Sequence, residues 1–550
     1  MSQSLIAFDT DHIKRYVFGT SKLKEIRGAS SMLDYLNRVE TVREAKKFNA
    51  HKIFAHGGSA LFLIDSEESE KEAEQLGQIV QERYQNSTGG GASITYAVQP
   101  IPANNKEDIM TAEQVNEEVS MAQVLQLLRL RLRLAKDSKQ TSPIALPTHA
   151  LLCMCKSCGM AYAEDILSDP DERDGRFCRV CKGKREENND VKNPRMISAT
   201  QSALASHEDE EPKLWERILR ILTKQGPTGT SSYHLTGNIK RPQDFHDFSD
   251  LANRKGYLGL IYADGNNMGR KIGEQKTLEA VQQFAEHVDQ AVFEAMRDAI
   301  QECLPVQNDM LPFDILMIGG DDIVMVTSVD KVLDVARTLA EKFHTYSERY
   351  ALSLSIGIVL APVTYPFNLQ LTLAEDTLKD AKKVGAMSQV DKNGLHEEAR
   401  ISFVVITGST SLSYQKIRKE MYSEHQKEEF HATLRPYTLR SFTWLLAQLQ
   451  EGKKMRLGRS KLHQLREAIL QLNRTTTILQ SLALFRNWKE QERDFIRKMV
   501  QELDNLTPQE QKERGTLFPW YLASKKDTTK NNIYRTPLLD FIELYDFVSS

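Results

Sequence analysis

The chain has 550 residues, with 72 Lys and Arg against 75 Asp and Glu, a formal net charge of −3. Hydrophobic residues make up 40% and charged residues 27%, an ordinary globular composition that excludes a fibrous or mostly disordered chain. No apolar run approaches the roughly 20 residues that cross a bilayer. The opening MSQSLIAFDTDH has neither a basic nor an apolar signal region, so we expect a cytoplasmic protein of about three to five domains.

In chain order, the first predicted element is the strand LIAFDTD (Leu5–Asp11), which ends on acidic residues. A helical stretch leads to KIFAHGGSALFLID (Lys52–Asp65), two apolar runs around Gly-Gly, the pattern of a β-hairpin. An amphipathic helix follows over Glu70–Tyr84, then a strand over Ala92–Val98. The same order returns later. LIYADGN (Leu260–Asn266) precedes a helical stretch, the hairpin FDILMIGGDDIVMV (Phe313–Val326), a helix over Val332–Tyr346 and a strand over Leu352–Pro362. The separations are comparable, 48 positions from Asp9 to Gly57 and 55 from Asp264 to Gly319. We read a duplicated β-helix-ββ-helix-β unit, each copy an antiparallel ferredoxin-like sheet with helices.

Between the copies, Ala112–Ala135 reads as a helix, although LRLRLRL (Leu128–Leu134) alternates as a strand would. Lys182–Asn193 and the acidic Ser206–Pro212 read as solvated loops. Past Gly408 the pattern becomes helical, most clearly over Leu439–Leu449 and Leu462–Leu472.

Chemistry concentrates at Gly319-Gly320-Asp321-Asp322. The glycines allow a positive φ and close approach of a phosphate chain to the backbone. Asp321 and Asp322 sit between buried apolar strands, and Asp264 ends the neighbouring strand of this topology. Three converging carboxylates suit hard divalent ions such as Mg²⁺, which take carboxylates together with substrate phosphates. Two such ions activate a 3′-hydroxyl and hold departing pyrophosphate. The plain alternative is a solvated turn, since Gly and Asp are common turn residues. Lys382, near the end of the helical Thr372–Met387, is placed to meet triphosphate oxygens or simply to favour a helix C-terminus.

Cys155-x₂-Cys158 and Cys178-x₂-Cys181 lie 19 residues apart, the spacing of a closed four-thiolate structural zinc site. Cys153 leaves the identity of the N-terminal pair open, and Cys303 reads as core. From Arg435 to Arg474, nine Lys and Arg face only Glu451 and Glu467, a net of +7. That stretch fits a phosphate backbone, a solvated face or an acidic partner protein.

These motifs resemble the nucleotide-polymerising palm of diguanylate cyclases and of the large subunit of type III CRISPR effector complexes. The Gly-Gly-Asp-Asp form, the opening Asp9–Ser30 and ADGNNMG (Ala263–Gly269) are similar to the CRISPR subunit across most of the chain. The resemblance implies an α+β protein. Its parts would be a degenerate first palm (1–108), a helical insertion with the four-cysteine zinc module (109–250), a catalytic second palm (251–410) and an all-α C-terminal domain (411–550).

The resemblance also implies condensation of ATP into cyclic oligoadenylates on target-RNA recognition, with other effector subunits and guide RNA as partners. Asp264, Asp321 and Asp322 would hold two Mg²⁺ or Mn²⁺ ions, with Gly319, Gly320, Asn266, Asn267 and Lys382 beside the nucleotide. His246-Asp247 lacks companion histidines, so no HD-type nuclease activity is expected. Gly57-Gly58-Ser59-Ala60 lacks the paired carboxylates, so the first palm is expected to dock against the second, with binding of the acceptor ATP left open. For Asp9 and Asp11, strand-end structure and a residual binding role stand as equal readings. Two other functions compete: a free-standing cyclic-dinucleotide cyclase, for which a homo-oligomer is open, and a silent ribonucleoprotein scaffold.

Overall fold

The structure, a computed structural model, describes residues 2–102, 109–115, 119–139, 152–169, 172–190, 197–198, 212–223, 238–387, 399–408, 413–425, 428–502, 516–524 and 532–549. Within the predicted acidic loop Ser206–Pro212, residues 206–211 lie outside the described residues. Two compact units emerge. The first comprises Met1–Asp247, Asp264–Met325 and Lys342–Leu352, and the second comprises Phe248–Ala263, Val326–Glu341 and Ser353–Ser550.

The first palm runs β1 (Ser2–Asp11), α1 (Ile13–Val17), α2 (Leu23–Tyr35), α3 (Thr41–Lys47), β2 (His51–His56), β3 (Ser59–Ser66), α4 (Ser69–Ser87) and β4 (Ser93–Ile101). Its sheet has the order β2-β3-β1-β4, all antiparallel. Successive residues of a strand point to opposite faces. Leu5, Leu61, Leu63 and Ala97 accordingly join one core cluster, while Ile6, Phe8, Phe62 and Ile64 are also buried. Both faces are covered, which explains the unbroken apolar runs.

Helix α5 (Met121–Ser138) covers the face that carries Leu5, through Met121, Val124, Leu125 and Leu128. Its start is fixed by a capping box between Ser120 and Gln123. The Leu-Arg alternation is therefore helical, and Leu130 and Leu134 stay exposed because they lie off the packed stripe. The insertion continues with the hairpin β5 (Asp165–Asp169) and β6 (Glu172–Phe177), then α6 (Arg179–Asp190), the two-residue β7 (Ile197–Ser198), α7 (Leu214–Thr223), β8 (Asn238–Ile239) and α8 (Phe245–Leu251).

Helix α6 corrects the loop expected over Lys182–Asn193, of which 191–193 lie outside the described residues. Polarity misled because Lys184 and Arg185 are buried as paired cations. Lys184 donates to the Tyr16 carbonyl, and Arg185 donates to Glu25 at 2.6 Å while lying 3.8 Å from the Phe177 ring. Gly28 of α2 lies so near the Lys184 carbonyl that any Cβ there would overlap it.

The second palm contributes β9 (Tyr257–Gly265), α9 (Met268–Gly273), α10 (Leu278–Cys303), β10 (Phe313–Gly319), β11 (Asp322–Ser328), α11 (Val332–Tyr346), β12 (Leu354–Pro362), α12 (Phe367–Met387) and β13 (Arg400–Val405). With β16 (Tyr437–Thr438) they form a six-stranded sheet of order β10-β11-β9-β12-β13-β16.

The C-terminal part holds α13 (Tyr414–Lys419) and four longer helices: α14 (Leu439–Lys454), α15 (Arg459–Ile469), α16 (Arg474–Phe485) and α17 (Glu490–Gln501). The chain ends on α18 (Leu538–Tyr545). This region is not all-α. Strands β14 (Tyr422–His425), β15 (Glu428–His431), β17 (Thr516–Leu517), β18 (Trp520–Ser524) and β19 (Asn532–Arg535) make a sheet of order β14-β15-β19-β18-β17. Each is two to five residues long, and β15 pairs in parallel with the distant β19. Local periodicity does not register such pairing.

Candidate active site and metal sites

Asp264 lies near the end of β9, and Asp321-Asp322 sit where β10 turns into β11, with Gly320 at φ +62°. Side chain and backbone crowd here: a Cβ on Gly265 would stand 2.6 Å from Asp321 Oδ2. Burial, followed by the charges on Asp264 and Asp321, pushes the Asp322 carboxyl up to about 8, against the opposing pull of Lys14. The neighbouring charges thus favour a protonated Asp322, or a cation that offsets them.

The Gly-Gly tip of the first palm meets this turn. Gly57 and Gly58 have φ of +67° and +78°. A Cβ on Gly57 would approach the Gly320 backbone nitrogen to 2.8 Å, so contact between the tips depends on glycine. Beside them opens a cavity of about 460 Å³, lined by Thr10, His12, Lys14, Arg15, Asn37, Gly57, Gly58, Gly319 and Asp322, among others. Pockets of this size accept nucleotide-sized ligands.

Buried ion pairs hold the walls. Asp314 of β10 is fully buried between Arg27 of α2 and Arg241, the latter at 2.7 Å. Arg38 makes a forked pair with Asp289 of α10 at 3.1 and 2.5 Å. Sequence reading missed Lys14 and Arg15 as cavity residues. The signal was a basic pair directly after the acidic end of β1, opposite a Gly-Gly hairpin.

The equivalent acids of the first palm are differently equipped. Asp9 pairs with Lys136 of α5 at 2.6 Å, and Asp11 pairs with Lys139 at 2.8 Å. Ser93 and Thr95 also donate to Asp11 at 2.8 Å. Burial pushes the Asp11 carboxyl up, but hydrogen bonds from Lys139, Ser93 and Thr95 outweigh it and hold it below the usual range. Two ammonium groups thus stand where a metal-binding palm would need cations. Ser59 is the cross-strand partner of Asp9, with no second acid beside it in the Ser59-Ala60 pair.

Cys155, Cys158, Cys178 and Cys181 bring their sulfurs within 4.8 Å of one another, an arrangement able to hold a metal ion. The Cys178 thiol is pushed down to about 5, first by its hydrogen bond with Cys181. Cys153 is exposed and accepts from Arg176 at 2.8 Å, outside the cluster. The knuckle is bound to α2 of the first palm, since Ser157 donates to Glu25 at 2.5 Å beside Arg185.

Other sequence candidates fall elsewhere. Asn267 precedes α9 in a left-handed conformation, φ +56°, which Asn tolerates, and Asn266 is buried. Lys382 is half-buried on α12, in the second unit. His246-Asp247 belongs to the start of α8, where Asp247 accepts backbone N–H groups of Gln243 and Asp244. Of the basic stretch, Arg435 is buried and bound to Asp540 and Glu543 at 2.8 and 2.6 Å. Lys461, Arg466 and Arg474 pair with Glu492, Glu467 and Glu428. Acids from outside the stretch therefore offset Arg435, Lys461 and Arg474, while Glu467 is already counted in the +7. No helix among the described residues is long and apolar enough to cross a membrane.

Residues 257–395 match the family model of the Cas10/Cmr2 second palm domain. No curated protein matches the chain. Among solved structures, the Csm1-Csm4 cassette in complex with cA4 aligns with a TM-score of 0.54 at 13% identity, over 92% of this chain and 68% of that one. The cassette in complex with one ATP aligns with a TM-score of 0.56 at 13% identity, over 100% and 70%. The Csm1-Csm4 subcomplex of the type III-A CRISPR-Csm interference complex gives 0.55 at 14% identity, over 92% and 68%. At these identities the likeness establishes the fold, and the chain spans about two thirds of the chains it matches. Residues 257–395 thus match a Cas10/Cmr2-type second palm domain, and the fold of the chain is like that of the Csm1-Csm4 structures.

Proposed function

We propose that this chain is a metal-dependent nucleotidyltransferase that condenses ATP into cyclic oligoadenylates, releasing pyrophosphate, as a subunit of a type III CRISPR-type effector. The observation that carries this reading is the crowding of Asp264, Asp321 and Asp322 beside a nucleotide-sized cavity roofed by the opposing Gly57-Gly58 tip. Structures of the same fold that hold cA4, cA3 and ATP support it.

Asp264, Asp321 and Asp322 fit a pair of Mg²⁺ or Mn²⁺ ions, because their mutual repulsion is relieved by cations. Such ions would supply Lewis acidity at the attacking 3′-hydroxyl and at the departing pyrophosphate. The 3′-oxygen of one ATP forms a bond to the α-phosphorus of the other. The bond from that phosphorus to its bridging oxygen breaks, and the hydroxyl proton is released. Gly319 lines the cavity without a Cβ, and Lys14 and Arg15 bring positive charge to it. Asn266 and Asn267 are the further nucleotide contacts in this reading. The first palm, with its acids neutralised by lysines, shapes the wall for the acceptor ATP. Zn²⁺ in the four-cysteine site would serve structure alone.

The partners in this reading are a Csm4-like subunit and guide and target RNA. Incubation of the full chain with each NTP and Mg²⁺ or Mn²⁺, with and without partners and RNA, followed by mass spectrometry, tests it. Cyclic oligoadenylates from ATP are expected, and none from Asp321→Ala/Asp322→Ala. No product under any condition sinks the enzyme reading, and product without RNA points to a free-standing cyclase.

A further inference from the structure

Away from the palms, the second unit contains an open cleft of about 530 Å³. Its lining includes Arg254 and Lys255 from the loop before β9, Lys453 of α14, Arg459 of α15 and Asp546 just past α18. Four cations thus face one carboxylate among the described lining residues. Asp546 is shared: Arg254 Nη1 lies 2.9 Å from one oxygen and Arg459 Nε 2.8 Å from the other.

Two of the cations, Arg254 and Lys453, are held against aromatic rings. The Arg254 guanidinium lies 4.6 Å from the Tyr257 ring and 4.3 Å from the Phe547 ring, and these two rings pack edge to face at 5.1 Å. The Lys453 ammonium lies 4.4 Å from the Tyr545 ring. The loop of Arg254 is tied from its other side, where Asn253 donates to Asp330 and to Ser549, both at 3.2 Å. Burial holds the Lys453 ammonium below its usual range, and despite Asp546 the positive charges of Arg459 and Arg254 push it the same way.

Ordered cations that repel one another, with a single internal anion, are complemented by an external polyanion. Arg forks match phosphate oxygens in a bidentate way, and none of the described lining residues is aromatic, so the cleft offers charge without a surface for stacking bases. We propose that this cleft is a sequence-independent phosphate-binding site, filled by the backbone of single-stranded RNA or by a free polyphosphate. Arg435, Lys461, Arg466 and Arg474 of the same basic stretch are consumed by acidic partners. The cleft is where Lys453 and Arg459 of that stretch join Arg254 and Lys255, two cations from outside it.

The test measures binding of a fluorescein-labelled twelve-nucleotide uridine RNA to the full chain by anisotropy, in EDTA so that the palm site holds no metal. Competitors are inorganic pyrophosphate and a twelve-residue poly-glutamate peptide. Lys255→Ala/Arg459→Ala alters exposed side chains and should leave the melting profile in place. We expect it to weaken RNA binding at least about tenfold and to reduce the slope of log K against log salt by about 1.4, at roughly 0.7 for each phosphate that the variant no longer neutralises. Asp546→Asn removes the internal anion and should tighten binding several-fold, an opposite sign that a folding defect would not produce. RNA binding that pyrophosphate fails to displace identifies the nucleic-acid backbone as the ligand. Displacement by micromolar pyrophosphate identifies a free polyphosphate. Unchanged affinity and salt slope in the double variant overturn the proposal. So does competition by poly-glutamate equal to unlabelled RNA, which would make the cleft a protein-docking surface.

Discussion

The crowding of three carboxylates predicts that the metal-free protein is destabilised by its own site, and that Asp322→Asn relieves it. An Asp whose carboxyl titrates near 8 when folded and near 3.8 when unfolded is protonated in both states below pH 3.8, so it costs nothing there. Between those values the unfolded chain releases the proton and the folded chain keeps it. Stability therefore falls as pH rises through this window and levels off above about 8. At about 1.4 kcal/mol per pH unit the cost at pH 7 has a ceiling of about 4 kcal/mol. Asp264 and Asp321 share in the repulsion and relax once Asp322 is neutral, so about 1–3 kcal/mol is the expected gain in the variant.

The assay is urea denaturation in EDTA at pH 4.5, 7 and 8.5, followed by fluorescence. The Asn variant should exceed wild type least at pH 4.5 and by more at the two higher values. Adding Mg²⁺ should stabilise wild type and leave the variant nearly unmoved. Equal or lower stability of Asp322→Asn at every pH in EDTA would refute the claim that these carboxylates oppose one another.

Three further outcomes follow from the same geometry. Asp314→Ala strands the buried guanidinium groups of Arg27 and Arg241, so urea denaturation should show a loss of about 3–5 kcal/mol, whereas a surface-like loss below about 1 kcal/mol would contradict a buried triad. Gly57→Ala places a Cβ against the Gly320 backbone at a positive φ, so ATP turnover should drop at least tenfold while bound zinc, read by elemental analysis, is unchanged. Cys155→Ser should lower bound zinc from one ion per chain towards none and expose the segment around α6 to protease, but Cys153→Ser should change neither.

The duplicated β-helix-ββ-helix-β order was readable because strand and helix periods are local, and both hairpins announce themselves by Gly-Gly between apolar runs. The four zinc-spaced cysteines were legible for the same reason, since their ligand spacing is short. Charge was harder to read. Arg435 counted as part of a basic surface but is a buried hub between Asp540 and Glu543, more than 100 positions away. Lys184 and Arg185 suggested a loop, yet their partners Tyr16 and Glu25 take them into the interior. The C-terminal sheet escaped notice because β15 finds β19 across four helices, and two-to-five-residue strands carry no period of their own. Asp9 and Asp11 pair with Lys136 and Lys139, more than 120 positions away, which no local pattern could announce.

The central claim is that Asp264, Asp321 and Asp322 serve nucleotidyl transfer from one ATP to another. Pyrophosphate release from ATP in the presence of Mg²⁺, measured on the full chain with the proposed effector partners, guide and target RNA, tests it most directly. The account predicts turnover that falls at least about a thousandfold in Asp321→Ala/Asp322→Ala, and a linear product ending in 3′-deoxyadenosine when 3′-deoxy-ATP is included. Pyrophosphate release that survives the double substitution would contradict it.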